Sequence, residues 1–237
     1  MAGDSARPGG RPSVRLGAAL FNGDHGRLAE EVARLEAAGL DFIHLDVFDG
    51  YFVPDVGFSP RTIAALRKLT RLPFEVHMGV AEPHRFTRAL AEAGANLLLF
   101  HLESAPMAFE TVFAIHSLKM RAGVALSLGT AIAMVEPLLG SADAVLLLSR
   151  VTGEGTKGAS FDASVLPRVR SVREKVDALK ASCDIQVAGG VNRTNAALLA
   201  AAGAGTLTLG AGIYGVADMA KEVAAVRALV SAEAGGG

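Results

Sequence analysis

The sequence predicts a single (β/α)8 barrel, the TIM-barrel class of α/β fold, and three observations carry that reading. First, an Ala-rich helical segment ends three times in a near-identical turn and runs into an apolar strand: EAAGLDFIHLD (36–46), AEAGANLLLFHLE (91–103) and AAAGAGTLTLG (200–210). In each copy the glycine (Gly39, Gly94, Gly203) stands where a helix C-cap favours a left-handed residue. Second, each following run is short, continuous and apolar, as strands buried on both faces must be. Third, eight such runs occur, near 14–20, 41–46, 73–78, 96–101, 122–127, 143–148, 184–188 and 205–209, with helical segments between them.

Strict strand–helix alternation implies a parallel sheet. Eight units in 237 residues favour a closed barrel over a doubly wound open sheet, and no GxGxxG follows the first strand. The first connecting helix is expected over 26–38, where Leu28, Val32 and Leu35 fall at helical spacing. Residues 1–13, rich in Gly, Pro and Arg, are expected to form a disordered tail, 14–232 the barrel, and 233–237 a flexible end.

Composition narrows the function classes. The chain is 51% apolar and 20% charged, enough to bury one large core. Its net charge is −1, with 23 basic and 24 acidic residues intermixed, so no polybasic stripe supports a nucleic-acid or membrane partner. The apolar run from Val14 to Phe21 is too short to span a bilayer, and no signal-peptide cleavage site follows it. The lone Cys183 excludes an internal disulfide and suits a reducing, cytoplasmic setting.

Barrel enzymes place their chemistry at the C-terminal ends of the strands, so the polar residues there matter most. Strand two ends His44-Leu45-Asp46, and residues i and i+2 of a strand share a face. Strand three ends at His77, with Glu75 on the same face one layer deeper; strand four ends His101-Leu102-Glu103. Imidazoles and carboxylates on one rim make a divalent-metal set, with zinc, iron, manganese and cobalt all open. A strand-end histidine alone is more often a hydrogen-bonded structural residue, and His101 is read that way. His44, Asp46 and His77, on adjacent strands and a shared face, are read as ligands.

The opposite rim is glycine-rich. Strand seven ends in Gly189-Gly190 and strand eight in Gly210-Ala211, where backbone N–H groups can approach an anion, as barrel phosphate sites after these two strands do. The same glycines also suit tight turns. The segment SRVTGEGTKG after strand six offers Lys157 as a phosphate-closing cation, or is a solvated loop.

These residues resemble the ribulose-phosphate 3-epimerase family over about residues 14 to 230. HLDVFDGYFVPDVGFSP is similar to that family's H-x-D-x-M-D-G-x-F-V-P-N, and FEVHMGV, FHLES, GVALSLGT and VAGGVNRTNAALLAAAGA follow in order. Asn22, Asp49, Gly50, Pro54, Gly129, Gly189 and Gly190 fit its pattern. The resemblance implies a ribulose-phosphate-binding barrel and a divalent metal held by two His and two Asp. The same two Asp serve as acid and base on opposite faces of substrate C3, through a metal-stabilised enediolate.

Three of those four positions are His44, Asp46 and His77; the fourth, an Asp after strand seven in the family, is Ala188. Alanine neither binds metal nor transfers a proton, so metal binding is expected to be weakened or lost and one substrate face is without its catalyst. Ala19 stands for a substrate-binding Ser, Phe48 and Gly79 for two methionines, and the strand-six loop departs from P-G-F-G-G-Q.

The resulting expectation is an epimerase or isomerase of a phosphorylated ketose, with Asp46 as base and water, Glu103 or the 149–160 loop supplying the second proton. A one-base aldose–ketose shift is a variant of it. The alternative is a catalytically impaired or re-purposed sugar-phosphate-binding relative. A lyase or decarboxylase ranks last, because no Asp-x-Lys pair ends a strand. The partners expected are a small phosphorylated sugar and further copies of the chain in a homo-oligomer.

Overall fold

Eight parallel strands close on themselves in sequence order, β1 pairing with both β2 and β8. The computed structural model describes residues 13–151 and 160–234, so Lys157 and most of both expected tails lie outside the described residues. The strands are β1 Arg15–Ala19, β2 Phe42–Phe48, β3 Phe74–Gly79, β4 Leu97–His101, β5 Arg121–Leu126, β6 Ala144–Leu148, β7 Asp184–Val191 and β8 Thr206–Leu209. Around them lie helices α1 Leu28–Ala37, α2 Pro60–Arg67, α3 Thr87–Glu92, α4 Ala108–Ser117, α5 Val165–Leu179, α6 Ala196–Ala202, α7 Ala211–Tyr214 and α8 Met219–Ala234. The last runs two residues into the expected flexible end.

Local chemistry explains the boundaries. The repeated glycines Gly39, Gly94 and Gly203 have φ of 76°, 93° and 112°, the left-handed region a side chain disfavours. Ser59 caps α2 by accepting the Thr62 N–H at 3.2 Å, with Pro60 at the first helical position, where a missing N–H costs nothing. The expected helix over 26–38 is split: a 3-10 turn at His25–Arg27, capped by Asp24 on the Gly26 N–H, leads into α1.

Strict alternation fails once. Between β5 and β6 the chain makes only two 3-10 turns, Ile132–Met134 and Glu136–Leu138. Pro137 lies inside the second, and Gly129 and Gly140 flank the pair, so no α-helical run can become established there.

The apolar residues fall into two layers. The larger lies between the strands and the surrounding helices. A smaller one fills one side of the barrel interior with Leu97, Leu99, Ala125, Leu146, Leu148 and Ala188 among others. At the base, Arg15 pairs with buried Glu75 at 2.9 Å, and its guanidinium lies over the Phe42 ring at 4.9 Å. Glu75 is thereby held away from the open end, and the polar groups left at that end belong to the site.

Candidate active site

The parallel register stacks the inward residues of neighbouring strands into layers. His44 lies opposite Glu75, Asp46 opposite His77, and Phe48 opposite Gly79. One layer of β2 and β3 therefore carries Asp46 and His77 side by side, with His44 one step deeper on the same face. These residues open into a cavity of about 520 Å³ at the C-terminal end of the barrel.

Within it, the Asp46 Oδ1 lies 3.0 Å from His77 Nδ1 and 3.4 Å from His44 Nε2. Burial alone would raise the Asp46 carboxyl, but the adjacent His44 and His77 imidazoles outweigh it and hold the group far below the usual carboxylate range. The His77 imidazole is pushed down to about 4, chiefly by burial, against the opposing pull of Asp46. Asp46 is thus ionised and His77 neutral near neutral pH, the states in which both offer lone pairs.

One donor atom from each of His44, Asp46 and His77 falls within 4.8 Å of the others. Two imidazoles and one carboxylate, with a free side toward a cavity, fit a divalent cation that keeps a position open for substrate. Ala188 explains the free side. It pairs with Leu148 and Thr208, lines the cavity, and offers only a methyl group at the position where the resemblance implies a fourth ligand.

The expected anion-binding glycines form the facing wall. Gly189, Gly190, Gly210 and Ala211 all line the cavity, and Asn22 joins them. Gly189 and Gly190 have φ of 104° and 75°, and the β7–β8 register shifts between Ala188 and Val191. This bulge carries the backbone of β7 around the rim, in a conformation that excludes side chains. Asn22 donates from Nδ2 to the Ala19 carbonyl at 3.3 Å, which fixes the amide at the mouth of β1.

Glu103 lies elsewhere. It does not line this cavity among the described residues. Its Oε2 accepts from His101 Nδ1 at 3.1 Å, while Oε1 accepts the Ser127 N–H at 2.8 Å and the Thr130 hydroxyl. These bonds outweigh its burial and hold the carboxyl down to about 2. His101 in turn meets His77, Nε2 to Nε2, at 2.9 Å. Arg168 on α5 donates to the Ser127 and Leu128 carbonyls at 2.9 and 2.5 Å and anchors the loop that grips Glu103. His101 thus lies behind His77 and does not line the cavity among the described residues.

Sequence reasoning missed three features. Phe48 and Gly79 are one substitution in two places: a Cβ on Gly79 would come within 2.7 Å of the Phe48 ring, which occupies the space above that glycine and packs edge-on to His77. Asp55 also lines the cavity, accepting the Val56 N–H at 2.8 Å, and it is the one carboxylate besides Asp46 that does so among the described residues. Thr208, buried beside Ala188, has a hydroxyl with no partner among the described residues. Only pairing across strands reveals any of these. Asp49, by contrast, is a clasp: it accepts N–H groups from Tyr51, Phe52 and Ala81, tying the β2 loop to the end of β3.

The profile described as the ribulose-phosphate 3 epimerase family matches residues 15–214. The chain belongs to that family. The ribulose-phosphate 3-epimerase of Bacillus subtilis (strain 168) is 35% identical over 215 residues, covering 90% of this chain and 98% of that protein. The enzyme of the same name from Synechocystis is 32% identical over 217 residues, covering 91% and 94%. The Arabidopsis thaliana chloroplastic ribulose-5-phosphate-3-epimerase is 33% identical, covering 92% and 78%. Solved barrels share the architecture at lower identity. KGPDC from Streptococcus mutans superposes with a TM-score of 0.70 at 15% identity, covering 93% of this chain and 98% of that one. The orotidine 5'-phosphate decarboxylase from Pyrococcus horikoshii OT3 gives 0.67 at 15%, covering 91% and 99%. These two speak to fold alone.

Proposed function

We propose that this chain is an epimerase of a phosphorylated ketose in which Asp46 removes the proton α to the ketone. The observation that supports it most is the Asp46 carboxylate, held ionised between His44 and His77 on the wall of a cavity whose other wall is glycine backbone. The substrate is a ribulose phosphate or a close relative, as in the relatives' names. Its phosphate sits against Gly189, Gly190, Gly210 and Ala211, which sets the reacting carbons across from Asp46. Lys157, the expected phosphate-closing cation, lies outside the described residues.

A carboxylate held this far below its ordinary pKa is always ready to accept a proton but is a weak base. The carbon acid must therefore be made stronger. His44, Asp46 and His77 would hold a divalent cation, which would supply that acidity by polarising the ketone and the neighbouring oxygen. The chain's own residues do the rest. Asp46 takes the proton on one face, His44 and His77 hold its carboxylate in place, and the Phe48 ring covers the reacting edge and excludes water.

The second face lacks its family carboxylate at Ala188. Glu103 cannot replace it, because both of its oxygens are engaged away from the cavity. Asp55, the other carboxylate lining the cavity among the described residues, is our candidate to return the proton to the face opposite Asp46, through a water. We further place the protein in the cytoplasm and expect it to assemble with copies of itself; no described helix is long and apolar enough to cross a membrane.

The alternative is a relative that binds sugar phosphate without turning it over, and Ala188 is the observation that favours it. Exchange at C3 of D-ribulose 5-phosphate in D2O separates the two. Deuterium wash-in that is lost in Asp46→Asn supports the epimerase, and slower product formation with intact wash-in in Asp55→Asn supports its role on the second face. Binding of the pentulose phosphate with no wash-in leaves the alternative.

A further inference from the structure

Behind His77 runs an unbroken row of polar atoms: Asp46 Oδ1, His77 Nδ1 and Nε2, His101 Nε2 and Nδ1, and Glu103 Oε2, separated by 3.0, 2.9 and 3.1 Å. Its direction is decided at the far end. An ionised carboxylate only accepts hydrogen bonds, and Glu103 is kept ionised by the Ser127 N–H and the Thr130 hydroxyl. His101 Nδ1 must therefore carry a hydrogen. In a neutral imidazole the other nitrogen is then a lone pair, so His101 Nε2 accepts from His77 Nε2. His77 Nδ1 is left as a lone pair, and it faces Asp46 Oδ1 at 3.0 Å.

Two lone pairs at that distance repel unless something positive lies between or beside them. One additional proton on the two rings would satisfy both carboxylates; a divalent cation beside Asp46 takes that proton's place. The Ser127 hydroxyl, 3.4 Å from His101 Nδ1, can turn to suit either arrangement and does not set the direction.

We infer that Glu103, acting through His101, is a positioning residue that fixes the His77 tautomer and turns its Nδ1 lone pair into the cation site. This rests on the metal-holding role of His44, Asp46 and His77 proposed above. It also explains a carboxylate and a histidine at the end of β4 that never reach the cavity. Arg168, by anchoring the Ser127–Leu128 carbonyls, keeps the donors to Glu103 in place.

The sharpest test is Glu103→Gln. The Ser127 N–H is a fixed donor, so it holds the Gln oxygen on its own side and leaves the NH2 facing His101 Nδ1. The whole row then reverses, ending with an N–H on His77 Nδ1 where a lone pair is needed. Cobalt(II), titrated into the full chain and followed by its visible absorption, should bind Glu103→Gln about 10–100-fold more weakly than the unaltered protein. Glu103→Ala, which leaves His101 free to choose its tautomer, should lose less. A residue that merely braces the structure predicts the opposite order, with the isosteric Gln harmless and Ala worse.

Equal cobalt affinity and an unchanged spectrum in Glu103→Gln, or a larger loss in Glu103→Ala, would overturn the inference and leave the metal reading standing. Failure of the unaltered chain to bind cobalt at all would remove the metal reading and this inference with it. If Glu103→Gln does not fold, long-range 1H–15N spectra of the zinc-loaded unaltered chain decide the matter. His101 protonated at Nδ1 is expected, and protonation at Nε2 alone contradicts it.

Discussion

The two halves of the barrel's open end are built on opposite principles. From β2 to β4 the rim is a continuous polar row, from His44 and Asp46 through His77 and His101 to Glu103. From β6 to β8 the inward positions at the same height are Leu148, Ala188 and Thr208, and the rim beyond them is glycine backbone. The first half carries the groups proposed to hold a cation and move a proton; the second offers the glycine backbone proposed to take the phosphate. The resemblance implies an acid in both halves, so Ala188 is the position at which the proposed epimerase and the binding-only alternative part.

The comparison breaks most sharply at Asp46. Asp46→Asn should lower C3 deuterium exchange by about 10²–10⁴-fold, the usual worth of a general base, while binding of the pentulose phosphate persists on the glycine side. Exchange at an unaltered rate would mean that the polar half is not the catalytic one. Ala188→Asp tests the other half. Restoring an acid there should raise epimerisation by up to about 10²-fold, the lower end of the range for acid–base catalysis, since Phe48 and the β6 loop still differ from the family. No change in turnover, with cobalt affinity improved, would assign the missing acid to metal binding alone.

The packing that replaces two methionines comes next in size. Gly79→Met drives a side chain into the Phe48 ring and should cost about 1–3 kcal/mol in urea unfolding. The double variant Phe48→Met/Gly79→Met should recover to within about 1.5 kcal/mol of the original. Independent, additive costs would show that the two positions do not share one space.

The smallest effect expected is on acid stability. The Glu103 carboxyl has a folded-state value near 2 against 4.5 in the free side chain. A carboxyl lowered on folding stabilises the native state fully above its unfolded value, and that contribution is lost as pH falls through the folded one. Stability should therefore decline between pH 4.5 and 2, and Glu103→Gln should flatten the decline. With about a quarter of the side chain exposed, solvent screening keeps the difference small. A curve of the same slope in both proteins would mean that other carboxylates govern it.

Much of this molecule is written along the chain. The repeated helix–glycine turns mark left-handed caps at Gly39, Gly94 and Gly203, because only a residue without Cβ enters that region cheaply. Each strand falls within two or three residues of its expected place, as continuous apolar runs between such caps allow. The i, i+2 spacing of His44 and Asp46 put them on one face before any coordinates, since that alternation is a property of a single strand.

What lies across strands was not legible. Whether Glu103 reaches the cavity or turns toward the β5 loop depends on Ser127, Thr130 and Arg168, which are 24 to 65 positions away in sequence. The fit of Phe48 above Gly79, the presence of Asp55 in the same cavity as Asp46, and a Thr208 hydroxyl beside Ala188 without a partner among the described residues all depend on how the fold aligns distant segments. Sequence alone determined the barrel and the residues at its open end, because local periodicity and turn chemistry suffice for those. The direction inferred for the hydrogen-bond row behind His77 rests on tertiary structure alone, because a tautomer depends on partners that only the fold brings within about 3 Å.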